Sequence, residues 1–461
     1  MRTFLGLVFV AAVVALGALW WLKFDHSPPT VAVANSPQVV GRKTPLDVHI
    51  TAGSTSLRTV AVRLRPTEGE KKDQPVELAI ENFPSTSWRG SDVGERDLHI
   101  ETDLVALGVP EGPALLEVFV DTYAWHLLSP PDEPRLILPV TVDLTAPRLE
   151  ILTSQHNLRL GGVDLAVFRQ SPDTVRSGVA VDNYFFPSTT RYFADADVAL
   201  AFFAAPQNLT GNIRFFVVAS DAAGNERRVE LPARVKMRKF EERTLDIDDA
   251  FLARKVPEII EATRVTPPGE PVQQYLYINR ELRAQNETKI REVTQTSYAT
   301  PLWNGAFLRQ PNAAPLSSFA DRRTYKYNGE VIDHQIHLGY DLASLKLSPV
   351  VATQSGVVVF ADNLGIYGNA VIIDHGLGIF SLYGHLSTMA VKSGDSVTAG
   401  QQIGQTGETG LAGGDHLHYS VMLHGVHVDP IEWWDPHWLK DHVTARLDLL
   451  PPAVAKAQAN P

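Results

Sequence analysis

The chain's hydrophobic positions change pattern several times, and each change marks a predicted element. Phe4 to Leu22 is a run without charge, flanked by Arg2 and Lys23. A helix of that length spans roughly 28 Å at ~1.5 Å per residue, close to the thickness of a bilayer core. Trp20 and Trp21 suit an interfacial belt. The pattern predicts a transmembrane signal anchor over residues 1–25, with a cleaved signal peptide as the rival reading. Residues 26–40, rich in Pro, Ser and Val, read as a tether.

Beyond the tether the period becomes two. Val60, Val62 and Leu64 alternate with Ala61, Arg63 and Arg65, as a strand with one face on a core requires. Leu115–Val120 and Leu136–Val142 read as further strands, with Pro139 pointing to an edge or a bulge. After Asp143-Leu144-Thr145-Ala146-Pro147 the pattern restarts at Leu149 and Ile151. Ile213–Ala219 is a clear strand, and Asp221-Ala222-Ala223-Gly224-Asn225 a turn. Two β-sandwiches follow from this, the first at 26–145 with its tether and the second at 146–235.

From Lys236 the period lengthens. Asp248 is placed to cap a helix running from Asp249 towards Ala262, which Pro257 should interrupt or kink. Residues 272–293 read as helix again. Together, 236–300 form a helical linker, serving as an arm or covering a groove. Short strands then return between frequent glycines, so 301–445 should be an antiparallel β domain. The stretch 446–461 reads as a flexible tail.

Composition narrows the function. The 461 residues carry a formal net charge of -11, which argues against a nucleic-acid partner. Cysteine is absent, which excludes disulfides and thiolate metal sites. Of the 15 histidines, ten lie between His334 and His442. Imidazoles clustered beside carboxylates, without thiols, suggest zinc or a related metal. Two spacings stand out: His337-x-Gly339-x-Asp341, and His416-Leu417-His418. On strands, each pair can share a face, and Gly339 permits close backbone approach. His385 follows a third strand, Ser381-Leu382-Tyr383. His375 and Asp374 read as structural, Tyr383 as half-buried packing, and Trp433-Trp434 as the seal of a domain edge. His424, His427, His437 and His442 are expected at loops or surfaces. Asp362, Asp395 and Asp429 are expected in turns, and His334 is incidental.

The ordered motifs at 337–341, Tyr-Gly-Asn-Ala-Val-Ile-Ile-Asp-His-Gly at 367–376, Ser-Leu-Tyr-Gly-His-Leu-Ser at 381–387, Gly-Gln-Thr-Gly at 404–407 and His-Leu-His at 416–418 go further. Residues 334–434 resemble the lysostaphin-type, or LytM-like, zinc metallopeptidases. The resemblance implies that His337, Asp341 and His418 hold zinc. It implies that His385 and His416 are the catalytic imidazoles, and that the substrate is a peptide cross-link of bacterial peptidoglycan. The Asp-x-Thr-Ala-Pro junction and the Ala-Ser-Asp-Ala-Ala-Gly-Asn turn resemble bacterial immunoglobulin-like modules. The expected whole is therefore multidomain and mainly β: two immunoglobulin-like sandwiches, a helical linker and a C-terminal peptidase domain. It would be held in the inner membrane through residues 4–22, with its bulk in the periplasm, where an envelope protein regulates it. The alternative is a non-catalytic envelope regulator that binds the wall or activates another hydrolase.

Overall fold

The structure, a computed structural model, describes residues 2–23, 27–34, 37–87, 90–124 and 132–453. It is mainly β, as the hydrophobic periods predict, and its contacts divide it into two compact units. Helix Arg2–Lys23 precedes the first β region. Among the described residues no helix is long and apolar enough to cross a membrane, so the structure does not support the expected anchor. The described side chains of that helix run from Leu7 to Trp21 and include Lys23.

In the first unit, one sheet runs in the order Val39–Val40, Leu136–Val142, Gly112–Thr122, Leu57–Pro66 and Val76–Asn82. A second runs Thr30–Val33, Leu46–Thr51 and Glu95–Ile100. Both contribute to one core, in which Val60, Val62, Leu64, Leu116, Val118 and Val120 have no exposed surface. Burying each such side chain contributes about 1.5–3 kcal/mol. Pro139 sits where its strand has no described outer neighbour, since Val39–Val40 pairs only with Thr141 and Val142. That position tolerates a residue without an N–H. The tether expected at 26–40 is partly folded: Thr30–Val33 pairs with Val48–Thr51.

The second unit holds the rest of the argument. Strand Val163–Gln170 lies between Val198–Ala204 and Leu149–Ile151, and the strand predicted from Ile213 begins at Phe215. The C-terminal β region is built on an antiparallel sheet. Its order is Ala314–Ser317, Tyr340–Ala343, Leu417–Leu423, Ile379–Leu386, Asn369–Asp374, Gly356–Asn363 and Ser396–Val397. Both faces are covered. Val371, Ile373, Tyr383, Tyr419 and Val421 face one core, whereas Ala370, Ile372, Phe380, Leu382 and Met422 face another. A sheet buried on both sides reads as an unbroken apolar run, which is why its strands do not alternate in polarity.

The segment expected as a helical linker supplies the second cover. Asp248 caps helix Asp249–Thr263 by accepting from Phe251 N at 2.7 Å, and the helix continues through Pro257. Helix Pro271–Tyr277 passes through a π turn, Ile278–Leu282, into Arg283–Val293. Leu252, Val256, Ile259, Ile278, Leu282 and Ile290 pack on the sheet. Strand Glu242–Ile247 pairs in parallel with Asp321–Tyr327, itself paired with Glu330–His337. This stretch is thus a layer of the domain rather than an arm beside it.

Nor is 446–453 a free tail. Ala194 N donates to Pro451 O and Ala453 N to Tyr192 O, while Arg446 enters the second β region to meet Asp164. Residues 454–461 lie outside the described residues. Trp433, expected to seal an edge, is wholly buried against Phe202 and Phe307.

Candidate metal centre

Two sheets meet at the turn Leu338-Gly339. His337 ends strand Glu330–His337, and Asp341 lies in strand Tyr340–Ala343, so the two do not share one strand as the spacing suggested. The glycine is what permits the corner. A Cβ at Gly339 would stand 2.5 Å from two ring atoms of His418 and 2.6 Å from Ser420 Oγ. Across the sheet Asp341 is register partner to His418, and His418 to Gly384. Directly opposed residues present side chains to the same face, so His418 is delivered to Asp341 by register alone.

The atoms converge closely. Asp341 Oδ1 is 2.9 Å from His337 Nε2 and 3.0 Å from His418 Nδ1, and those nitrogens are 3.0 Å apart. The surrounding hydrogen bonds fix the tautomers. His337 Nδ1 lies 3.0 Å from Ser318 O, a carbonyl that can only accept, so the proton is on Nδ1 and Nε2 is a bare lone pair. Ser420 Oγ donates to Leu338 O at 2.8 Å and must therefore accept from His418 Nε2, which leaves His418 Nδ1 bare. Two lone pairs and a carboxylate oxygen pointing at one another repel unless a cation lies between them. The three donor atoms lie within 4.8 Å of one another, all from buried residues, and their chemistry fits a divalent metal. Asp341 Oδ2 accepts from Arg323 Nη2 at 2.9 Å, which reserves Oδ1 for the cation side.

His385 and His416 stand beside this set. Their ring centroids are 4.8 Å apart, and His385 is 5.8 Å from His418. His385 donates through Nδ1 to Thr409 O and His416 through Nδ1 to Gly414 O, both at 2.8 Å. In each, Nε2 is left as an acceptor. His385 has φ of 62°, a left-handed conformation uncommon for histidine. It lies inside strand Ile379–Leu386 rather than past its end.

Burial dominates the electrostatics. It pushes Asp341 upward, but positive charge taken up among His337, His416 and His418, the part a bound cation would play, outweighs it and holds the carboxylate well below its usual range. Burial pulls His418 down to about 4 and, with the nearby imidazoles, takes His385 well below the ordinary value; both rings are neutral. Burial also opposes charge on His416, but Asp341 prevails and raises it.

The cleft around these residues has a volume of about 470 Å³. Its walls include Phe251, Tyr275 and Arg283 from the helical layer, and Arg243, Leu245 and Arg323 from the adjoining sheet. Tyr367 also lines it, with its ring 5.2 Å from His418 and its hydroxyl donating to Glu287 at 2.7 Å.

All five site residues predicted from sequence therefore come together. His375, read as structural, is fully buried away from the cleft, between Ser355 O and Ser381 Oγ. Other expectations are corrected. Tyr383 has no exposed surface, and its hydroxyl binds Thr353. His427 is buried 3.2 Å from Glu287, and His442 stacks on Trp438, so neither belongs to a simple surface. Asp429 pairs with Arg238 at 2.7 Å as well as closing a turn. Sequence reasoning missed Arg323, Tyr367 and Ser420. Tyr367 lay within a quoted motif, but Arg323 and Ser420 carried no local signal.

Residues 335–430 match the family model described as Peptidase family M23, and the C-terminal region is a LytM-type domain of that family. The "DD-carboxypeptidase/endopeptidase Mpg" of Neisseria meningitidis is 41% identical over 97 residues, covering 21% of this chain and 22% of the relative. The "Peptidoglycan DD-endopeptidase ShyA" of Vibrio cholerae is 31% identical over 166 residues, covering 36% of each. The "Murein hydrolase activator NlpD" of Salmonella typhimurium is 35% identical over 132 residues, covering 27% of this chain and 35% of the relative. The matches thus span about a fifth to a third of these curated relatives.

Proposed function

We propose that the M23 domain of this chain is a zinc-dependent endopeptidase that hydrolyses peptide cross-links of bacterial peptidoglycan. The observation that carries the reading is the pair of bare imidazole nitrogens aimed, with a carboxylate oxygen, at one point beside two further imidazoles whose Nε2 atoms are free to accept. In this reading His337, Asp341 and His418 hold zinc, which when bound polarises the scissile carbonyl and acidifies water. His416 Nε2 takes a proton from the attacking water. His385 Nε2 accepts from the substrate backbone and orients it. The imidazolium formed at His416, or at His385 after exchange between the neighbouring rings, returns the proton to the leaving amine. Arg323 steadies Asp341, and the cleft walls exclude bulk water.

Two relatives are named as peptidoglycan or DD-endopeptidases, which supports the wall as substrate. A place in the periplasm belongs to the same proposal; it rests on where such a substrate lies. The upstream sandwiches are read as immunoglobulin-like spacers. The relative named as a hydrolase activator gives the second reading its support, that of a regulator acting through another envelope hydrolase.

Digestion of purified peptidoglycan, with fragments identified by mass spectrometry, tests the proposal. Wild type should release peptide fragments in a chelator-sensitive manner. His416→Ala, still loaded with metal, should lose about 10²–10⁴ of the rate. Wild-type turnover in that loaded variant would overturn the assignment of the base, and no release by wild type would favour the regulator.

A further inference from the structure

Beside the metal cleft lies a second cavity, of about 760 Å³. Four arginines line it: Arg280, Arg283, Arg322 and Arg323. Arg283, Arg323 and Leu338 line both cavities, so a ligand crossing the metal cradle can enter the arginine-lined space. All four arginines lie before residue 335, where the family match begins. They come from the π turn, the helix that follows it and strand Asp321–Tyr327. The arginines therefore come from elements outside the family match, while Gln335, Ile336 and Leu338 inside it complete the lining.

The charges are only partly spent. Arg280 is held by Asp333 Oδ1 at 3.0 Å and by Ile332 O at 2.8 Å. Arg283 uses Nε and Nη2 on its own helix, at Asn279 O and Asn279 Oδ1. No described hydrogen bond takes its Nη1. Arg323 gives Nη2 to Asp341, while its Nε is buried without a partner among the described residues. Arg322 is exposed, and no described hydrogen bond or ion pair engages its side chain. Two acids also line the cavity. Glu287 is engaged by the Tyr367 hydroxyl and lies 3.2 Å from His427 Nε2. Glu242 neighbours Arg322 across paired strands, with no described ion pair between them. Four carboxylates, Asp333, Asp341, Glu242 and Glu287, thus offset the four guanidinium charges, but unused guanidinium donors remain, one of them on a residue bonded to the metal-set carboxylate.

We propose that this cavity is a carboxylate subsite, which selects peptides bearing a free carboxylate beside the bond to be cut. The inference rests on the peptidase reading and names its substrate class. Guanidinium groups bind carboxylates through paired, charge-assisted hydrogen bonds, and they do so best where water is partly excluded. Because Arg323 touches Asp341 itself, the bound carboxylate lies about one or two residues from the scissile bond, at ~3.5 Å of extended chain per residue. Stem peptides with an unmodified diaminopimelate carboxylate meet that requirement. Neutral oligoglycine bridges do not.

The test uses the full zinc-loaded chain and three synthetic probes: a stem tetrapeptide with its diaminopimelate carboxylate free, the same peptide with that carboxylate amidated, and pentaglycine. Isothermal titration should show the free acid binding about tenfold or more tightly than the amide, as one charge-assisted contact warrants. Arg283→Gln combined with Arg322→Gln should reduce that preference to less than about threefold with zinc content unchanged. Should the double variant fold poorly, Arg322→Gln alone, at an exposed strand position, should narrow the preference. Equal affinity of wild type for acid and amide, absence of binding to either, or an unchanged preference in the variants would overturn the subsite. Cleavage is scored separately on cross-linked dimers of the same peptides. Acid preference in binding with no cleavage would sink the peptidase reading and leave the subsite standing.

Discussion

The second unit contains two buried histidine–aspartate clusters that use similar residues to opposite ends. In one, His337, Asp341 and His418 meet at the corner between two sheets. In the other, His156 and Asp164 lie with no exposed surface in the second β region, joined by Arg446 and His442 from the C-terminal helices. At the second, the donors of His156 and Arg446 find acceptors. His156 Nδ1 donates to Asp164 Oδ2 at 3.0 Å, its Nε2 accepts from Thr153 Oγ1 at 3.1 Å, and the Arg446 guanidinium pairs with the carboxylate. Burial and the Arg446 charge push His156 down to about 3, so it is neutral. At the first, lone pairs face lone pairs. Residue type thus does not distinguish a reactive site from a weld. What distinguishes them is whether the local hydrogen bonds leave nitrogens bare, and whether a cleft gives access.

The comparison breaks most visibly at a metal ligand. His337→Ala should remove bound zinc and reduce wall hydrolysis at least about 10⁴-fold, more than 5 kcal/mol of transition-state stabilisation. The apo fold should keep its stability, because the deletion removes a repelling lone pair. Elemental analysis, a digestion assay and urea unfolding of apo protein check the three parts. Undiminished zinc content would remove His337 from the set.

Asp164→Asn should do the reverse. It leaves the buried Arg446 charge without its counter-ion, which costs about 3 kcal/mol or more. The urea midpoint should fall while zinc content and turnover per folded molecule stay at wild-type values. A loss of zinc instead would mean that the two clusters are coupled.

Glu432, at the same junction, carries a pH signature of nearly the same size. It is 5% exposed and accepts from Val163 N at 2.9 Å, and burial pushes it up to about 7 from an ordinary 4.5. Below pH 4.5 it is protonated in both folded and unfolded chains, so its contribution is fully present. As pH rises towards 7 the unfolded chain ionises first and stability is lost, on the order of 3 kcal/mol in all. Glu432→Gln should flatten that part of the stability curve between pH 4.5 and 7 without moving the rate of cleavage. An unchanged slope would assign the dependence to other groups.

The two clusters also differed in how far the sequence disclosed them. Positions 337, 341, 416 and 418 announce themselves through short spacings and glycine, and the ordered motifs around them supplied the resemblance. That made proximity legible, while the roles of these residues remain the proposal. Asp164 and Arg446 are 282 positions apart, and no period or motif joins them. The reading of a flexible tail failed over 446–453 for that reason: a C-terminal stretch without aromatics looks solvated until its buried partner is known. The helical segment was misjudged as a linker because its apolar face is visible in sequence but the sheet it covers is not. The strands of that sheet gave the complementary clue, since Asn369–Asp374 and Ile379–Leu386 are apolar on both faces and so require two covers.

The smallest effect is the sharpest discriminator, because it turns on the direction of one hydroxyl in each cluster. Ser420 accepts from His418 Nε2–H and thereby leaves Nδ1 bare for a cation. Thr153 accepts from Val167 N at 3.1 Å and donates to His156 Nε2, which consumes the lone pair. Ser420→Ala removes the acceptor, frees the ring to change tautomer, and should weaken zinc binding about tenfold, some 1.4 kcal/mol. The loss should appear in a competitive chelator titration, with apo stability changed by less than about 1 kcal/mol. Thr153→Val keeps the shape and removes the donor. It should lower the unfolding free energy by about 1 kcal/mol and leave zinc affinity untouched. If Ser420→Ala altered stability but not zinc affinity, the tautomer of His418 would not be what prepares the site for a metal.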